Sequence, residues 1–242
     1  MIKFKLPEPL RRSDILFVSL SGSHAYGISR PDSDIDLRGV YIPPLKNIIS
    51  VNKNWKKTYS YNHLTDIIDL EVKSLPNYIK LLANGNCNCL ENLFQEKIYV
   101  KDLLLIEDLK NMVLERGLSK KMYHSFKGFS YSQEIDFFKK RKIKCLLYVF
   151  RLLAEGIYLF ETGYFDMNIH SLYNYIDSEL LDIIIANYDL EKSITTLPIL
   201  NEIEKELIYL KDRLKTAKDN SDLPEIPDYE LYNDWLYNFY VP

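Results

Sequence analysis

Asp34 and Asp36 stand two positions apart, and ten residues separate Asp34 from an upstream Gly22-Ser23 pair. On a strand, positions i and i+2 point to the same face. Two ionised carboxylates held there repel each other, and a divalent cation that prefers hard oxygen ligands, such as Mg²⁺, removes that cost. Arg38 follows on the same face, placed to orient a carboxylate or touch a phosphate. Gly22 can adopt a backbone conformation closed to other residues. Free backbone N–H groups and the Ser23 hydroxyl at such a corner form an anion site, and a phosphate is its natural guest. A phosphate cradle beside metal-binding carboxylates is the equipment needed to handle a nucleoside triphosphate (NTP).

The flanking pattern supplies elements to hold these residues. Ile15–Leu20 is an apolar run whose length and branched content predict a short buried strand. It stops at Ser21-Gly22-Ser23, where Ser23 is placed to cap a short helix over His24–Gly27. Turn formers at Ser29–Ser33 lead into Asp34–Tyr41, whose alternation predicts a second strand with Ile35 and Leu37 opposite the acids. A further strand is predicted over Asp66–Val72. Asp69 and Glu71 share one of its faces. Two metal ions need more oxygen ligands than two aspartates provide, so this strand is the source of a third carboxylate. Parity does not choose between Asp69 and Glu71.

The order Gly22-Ser23 then Asp34-Ile35-Asp36 resembles the signature of the nucleotidyltransferase superfamily of DNA polymerase beta type. The fuller string GSHAYG…DSDIDLRGVY is similar to one branch, the predicted nucleotidyltransferases that include proteins found beside RNA-repair ligases. The resemblance implies an α+β fold, with a small mixed β-sheet core, flanking helices and a mainly helical C-terminal region. It implies an enzyme that uses Mg²⁺ or Mn²⁺ to move a nucleotide from an NTP to an acceptor hydroxyl, RNA among the candidates, releasing pyrophosphate. In that family the third acid lies just before a Ser-Leu-x-x-aromatic helix start. Here that start is Ser74-Leu75-Pro76-Asn77-Tyr78, which favours Asp69, with Glu71 as the rival. Asp34, Asp36 and Asp69 are the expected metal ligands, and Gly22, Ser23, His24 and Arg38 the expected nucleotide contacts.

A second basic contact is expected from Ile143–Phe160, a helix by pattern, on which Lys144, Tyr148, Arg151 and Glu155 form one polar stripe. Lys144 and Arg151 match cations of the family pattern, where they would face the triphosphate. Tyr148 stands where that pattern has histidine. His24 and Tyr26 each have a plainer packing role to set against substrate contact.

The chain has 242 residues, 47% of them hydrophobic, enough for one large domain or two small ones. The expected division is a catalytic domain over 1–115 and a helical domain over 116–242 that closes the nucleotide cleft. A net charge of −3 argues against bulk polyanion binding. Residues 116–144 depart from it, with nine Lys/Arg against two acids and interleaved Tyr123, Phe126, Phe129 and Tyr131. Such a mixture suits contact with a nucleic acid or a nucleotide, or else a solvated helix face. Three cysteines leave no disulfide framework, and neither an apolar leader nor a run of eighteen apolar residues occurs, so a cytoplasmic protein without membrane partners is expected. The competing classes are an inactive relative serving as a nucleotide-binding or regulatory module, and a metal-dependent phosphohydrolase. Labelled NTP separates them, because only a transferase leaves label on an acceptor.

Overall fold

The computed structural model describes residues 4–51, 55–62, 68–189 and 197–241. Two compact units divide the chain: Met1–Leu118 with Pro227–Pro242, and Ser119–Ile226.

The first unit is built on five strands: β1 (Ile15–Ser21), β2 (Ile35–Tyr41), β3 (Thr58–Asn62), β4 (Ile68–Ser74) and β5 (Lys97–Val100). Their order across the sheet is β3-β4-β2-β1-β5. β2 runs parallel to β4, and the other neighbours are antiparallel, so the sheet is mixed as expected. Alternation separates its two faces. Ile15, Val18, Leu37, Tyr41, Leu70 and Val72 form one buried cluster, with Phe4, Leu6, Leu10, Tyr59 and Tyr61 packed against it. Each such side chain contributes roughly 1.5–3 kcal/mol by leaving water. The opposite face carries Phe17, Ser19 and Ser21 on β1, and the Asp36/Arg38 and Asp69/Glu71 pairs on β2 and β4.

Helices α1 (Leu45–Ile48), α2 (Leu75–Ala83), α3 (Cys87–Phe94) and α4 (Leu103–Met112) belong to this unit, with α4 running into a π turn at Val113–Gly117. Phe17 meets Tyr78 of α2 edge to face, with ring centroids 5.8 Å apart. The predicted strand over Asp66–Val72 is found from Ile68, its first two residues lying outside those described. Ser74 precedes α2, but its buried hydroxyl makes no capping bond. Asn86 does cap α3, accepting from the Cys89 backbone N–H.

The second unit is helical: α5 (Met122–Lys140), α6 (Ile143–Thr162), α7 (Ser178–Asp189) and α8 (Leu197–Asn220). Gly163, at φ +74, ends α6. Residues 171–188 do not form one helix: a 3₁₀ turn at Tyr173–Tyr175 is followed by α7. Ile176 is extended between them, and the Asp177 carboxylate restarts the helix by accepting from the Leu180 N–H. The last helix, α9 (Tyr229–Tyr240), is capped by Asp228 and grouped with the sheet unit, where the Tyr232 hydroxyl donates to the Gly117 carbonyl. Among the described residues, no helix is long and apolar enough to cross a membrane.

Candidate active site

The turn between β1 and β2 brings the sequence-predicted residues of the first unit together. β1 ends at Ser21, and Gly22–His24 forms one 3₁₀ turn. No longer helix follows and Ser23 caps nothing: its Oγ is buried and has no hydrogen-bond partner. Gly22 has φ +64, and a Cβ there would sit 2.0 Å from Asp36 Oδ2. Only a residue without a side chain allows the corner to lie on that carboxylate. The corner therefore offers a buried hydroxyl with spare bonding capacity beside an acid.

Register pairs the acids. Asp36 lies opposite Ser21 on β1 and opposite Asp69 on β4. Arg38 lies opposite Glu71, yet its guanidinium leans to the acids one step away: Nη1 is 3.4 Å from Asp69 Oδ2, and Nη2 is 3.5 Å from Asp36 Oδ1. Glu71 is held instead by an ion pair with Lys73. Asp34 precedes β2 and is exposed. Among the described residues, no group of three or more His, Cys, Asp or Glu converges on one point. Asp36 and Asp69 are thus brought together, while Asp34 and Glu71 are not gathered with them.

His24 approaches the Ser33 carbonyl, Nε2 to O 3.5 Å, tying the corner to the turn before β2. That turn is closed by Arg30 N–H donating to Ser33 Oγ at 2.9 Å and by the Arg30–Asp32 ion pair, also 2.9 Å. Tyr26 is buried, and its hydroxyl donates to the Glu91 carboxylate of α3. It closes the corner's core rather than offering a ring for stacking.

Helix α3 and the residues after it support the corner through groups that pattern reading missed. Ser19 Oγ donates to the Asn92 carbonyl at 3.1 Å, and Asn92 Nδ2 donates to the Arg38 carbonyl at 3.1 Å. Gln95 Nε2 donates to Ser21 Oγ at 3.3 Å. Lys97 Nζ donates to the carbonyls of Asn92, Leu93 and Gln95 at 2.9, 2.7 and 2.8 Å, so one ammonium satisfies carbonyls at the buried C-terminal end of α3. Burial of that amine pushes its pKa down to about 7. The signal available in the sequence was the density of amide side chains over Asn84–Gln95, which reads equally as a loop.

Lys144 and Arg151 belong to the helical unit. Lys144 is half-buried in the first turn of α6, its Nζ 5.9 Å from the Tyr148 ring centroid. Arg151 is 2% exposed and ion-paired with the fully buried Glu155 one turn on. Its charge is therefore matched within its own helix.

The model of a family described as "RNA repair pathway DNA polymerase beta family" matches residues 3–238. Among curated proteins, an uncharacterized protein of Methanocaldococcus jannaschii is 28% identical over 198 residues, covering 79% of this chain and 78% of that protein. An uncharacterized 38.9 kDa protein of Enterobacteria phage T4 is 40% identical over 81 residues, which are 31% of this chain and 24% of the phage protein. Among solved structures, spectinomycin adenyltransferase AAD(9) from Enterococcus faecialis, with ATP and spectinomycin, aligns at 17% identity and a TM-score of 0.46. That alignment covers 84% of this chain and 93% of the adenyltransferase.

Proposed function

We propose a function from one premise: the chain belongs to the RNA repair pathway DNA polymerase beta family, within the DNA-polymerase-beta-like nucleotidyltransferases. On our reading it transfers a nucleoside monophosphate from an NTP to an acceptor hydroxyl. The observation that carries this is the register of Asp36 against Asp69, directly beside the Gly22-Ser23 corner.

The residues present fit a divalent ion and a triphosphate. Asp36 and Asp69 supply hard oxygen donors, and Asp34 is free of the sheet and exposed. The buried Ser23 hydroxyl lacks a partner and suits a phosphate oxygen. Asp34, Asp36 and Asp69 would hold Mg²⁺ or Mn²⁺, whose chemistry is to stabilise negative charge on phosphate oxygens and acidify the acceptor hydroxyl. The corner N–H groups and Ser23 Oγ would bind and orient the β- and γ-phosphates. The acceptor oxygen bonds to the α-phosphorus, the bond from that phosphorus to its bridging oxygen breaks, and pyrophosphate leaves. Asp69 takes the hydroxyl proton. Glu71, already engaged by Lys73, is the weaker choice for that role.

A nucleic-acid strand such as RNA is the acceptor favoured by α5. His124, Lys127, Tyr131 and Lys139 share an exposed face, and the helix's acids are occupied in the Glu134–Lys211 and Asp136–Lys140 ion pairs. Cations and aromatics so arranged suit a phosphate backbone with unstacked bases. A second reading, a nucleotide-binding module without transfer, is favoured by the separation of Asp34 from the other two acids.

Incubation with Mn²⁺ or Mg²⁺, single-stranded RNA and each α-labelled NTP tests the reading. Label should pass to the acceptor and vanish in Asp36→Ala. Nucleotide binding with no transfer under any condition would leave the module.

A further inference from the structure

Resting on the metal-dependent reading above, we propose that Arg38 is the resident counter-ion of the Asp36–Asp69 pair, and that a divalent cation binds there by displacing its guanidinium. Two carboxylates in register on adjacent strands repel when both are ionised. The structure places a guanidinium on both: Nη2 reaches Asp36 Oδ1 at 3.5 Å and Nη1 reaches Asp69 Oδ2 at 3.4 Å. Arg38 does not pair with Glu71, its partner in register, because Lys73 holds that carboxylate. The basic charge nearest the acids is thereby directed onto them.

The geometry also makes the contact exchangeable. Both distances lie beyond the usual range for a charge-assisted bond. The side chains are 31%, 26% and 35% exposed for Arg38, Asp36 and Asp69, so water and ions reach them. Arg38's shortest bond, 2.8 Å, runs from the same Nη1 to the Leu37 carbonyl rather than to an acid, so that carbonyl, and not either carboxylate, is the firmer hold on the guanidinium. A doubly charged ion then replaces a singly charged one on the same oxygens. The cation-free protein is spared the repulsion, and the ion must compete with Arg38. Its apparent affinity is the intrinsic affinity multiplied by the fraction of molecules in which the acids are already vacated.

The test is Mn²⁺ binding to the full chain without nucleotide, followed by electron paramagnetic resonance and by thermal unfolding. Arg38→Gln removes the charge and keeps a polar side chain. Arg38→Lys keeps the charge but cannot bridge both acids. Arg38→Gln should bind Mn²⁺ about tenfold more tightly than the parent and unfold at a lower temperature when no ion is added, a difference about 1.4 kcal/mol in binding. Arg38→Lys should fall between, which keeps the test alive if Arg38→Gln fails to fold. Equal or weaker Mn²⁺ binding in both variants, with binding lost in Asp36→Asn, would overturn the counter-ion role and leave the metal-dependent reading standing. A parent protein that binds no more Mn²⁺ than Asp36→Asn would overturn both.

Discussion

Gly22 lies against Asp36 so closely that a Cβ on the glycine would be 2.0 Å from the carboxylate Oδ2. The corner after β1 and the first acid of β2 therefore share one position in space, and neither can change without the other. The left-handed φ of +64 at Gly22 adds a second barrier to any side chain there.

Gly22→Ala is expected to lower stability by about 2 kcal/mol or more, from backbone strain and the clash together. It should abolish transfer by pushing Asp36 away from Asp69. Chemical denaturation and the labelled-NTP assay read the two effects separately. An alanine variant with unchanged stability would mean that the corner backbone is free to move.

The two rivals for the third carboxylate differ in surroundings, although the strand pattern treats them alike. Asp69 faces Asp36 in register, while Glu71 is ion-paired with Lys73. Asp69→Asn should reduce kcat by at least about a hundredfold, a change of roughly 2.7 kcal/mol in barrier. Glu71→Gln should stay within a few-fold. Reversed outcomes in steady-state kinetics would assign the role to Glu71.

The strands, and the shared face that carries Asp36 and Asp69, were legible because alternation is a period-2 signal and parity follows from it, whereas Asp34, read as the same-face partner of Asp36, lies ahead of β2. The supports of the corner were not. Ser19 bonds to Asn92 across 73 residues, Gln95 reaches back to Ser21, and Tyr26 meets Glu91 across 65. Each is a single buried polar contact between elements, which leaves no periodic trace. Arg151 was misleading for a related reason. An i, i+4 polar stripe reads as a solvent- or ligand-facing row, yet here two of its members bury each other.

The Tyr26–Glu91 bond ties the corner to α3 in a region where both side chains are buried. Removing the phenol hydroxyl takes a donor from a buried carboxylate, at a cost of about 1–3 kcal/mol. Tyr26→Phe should therefore unfold at lower denaturant concentration with an unchanged m value. If the bond only anchors the corner, KM for the nucleotide should rise more than kcat falls. An unshifted midpoint would remove Tyr26 from the support.

Lys97 links stability to pH. Burial lowers its pKa from 10.5 to about 7 in the folded protein, outweighing the three carbonyls that favour the ammonium. Between those values the unfolded chain holds a proton that the folded protein has released. Stability therefore rises with pH above about 7, by up to about 1.4 kcal/mol per unit, and levels off below 7, where both states hold the proton. Cys89 acts with the opposite sign. Its buried thiol is pushed from 9.0 up to about 12, so its contribution is whole below pH 9 and lost as pH climbs from there toward 12. The window between pH 7 and 9 isolates the lysine. Denaturation curves across it should steepen upward in the parent and lie flatter in Lys97→Met. A flat parent profile would mean that the carbonyls at the end of α3 compensate the amine fully for leaving water.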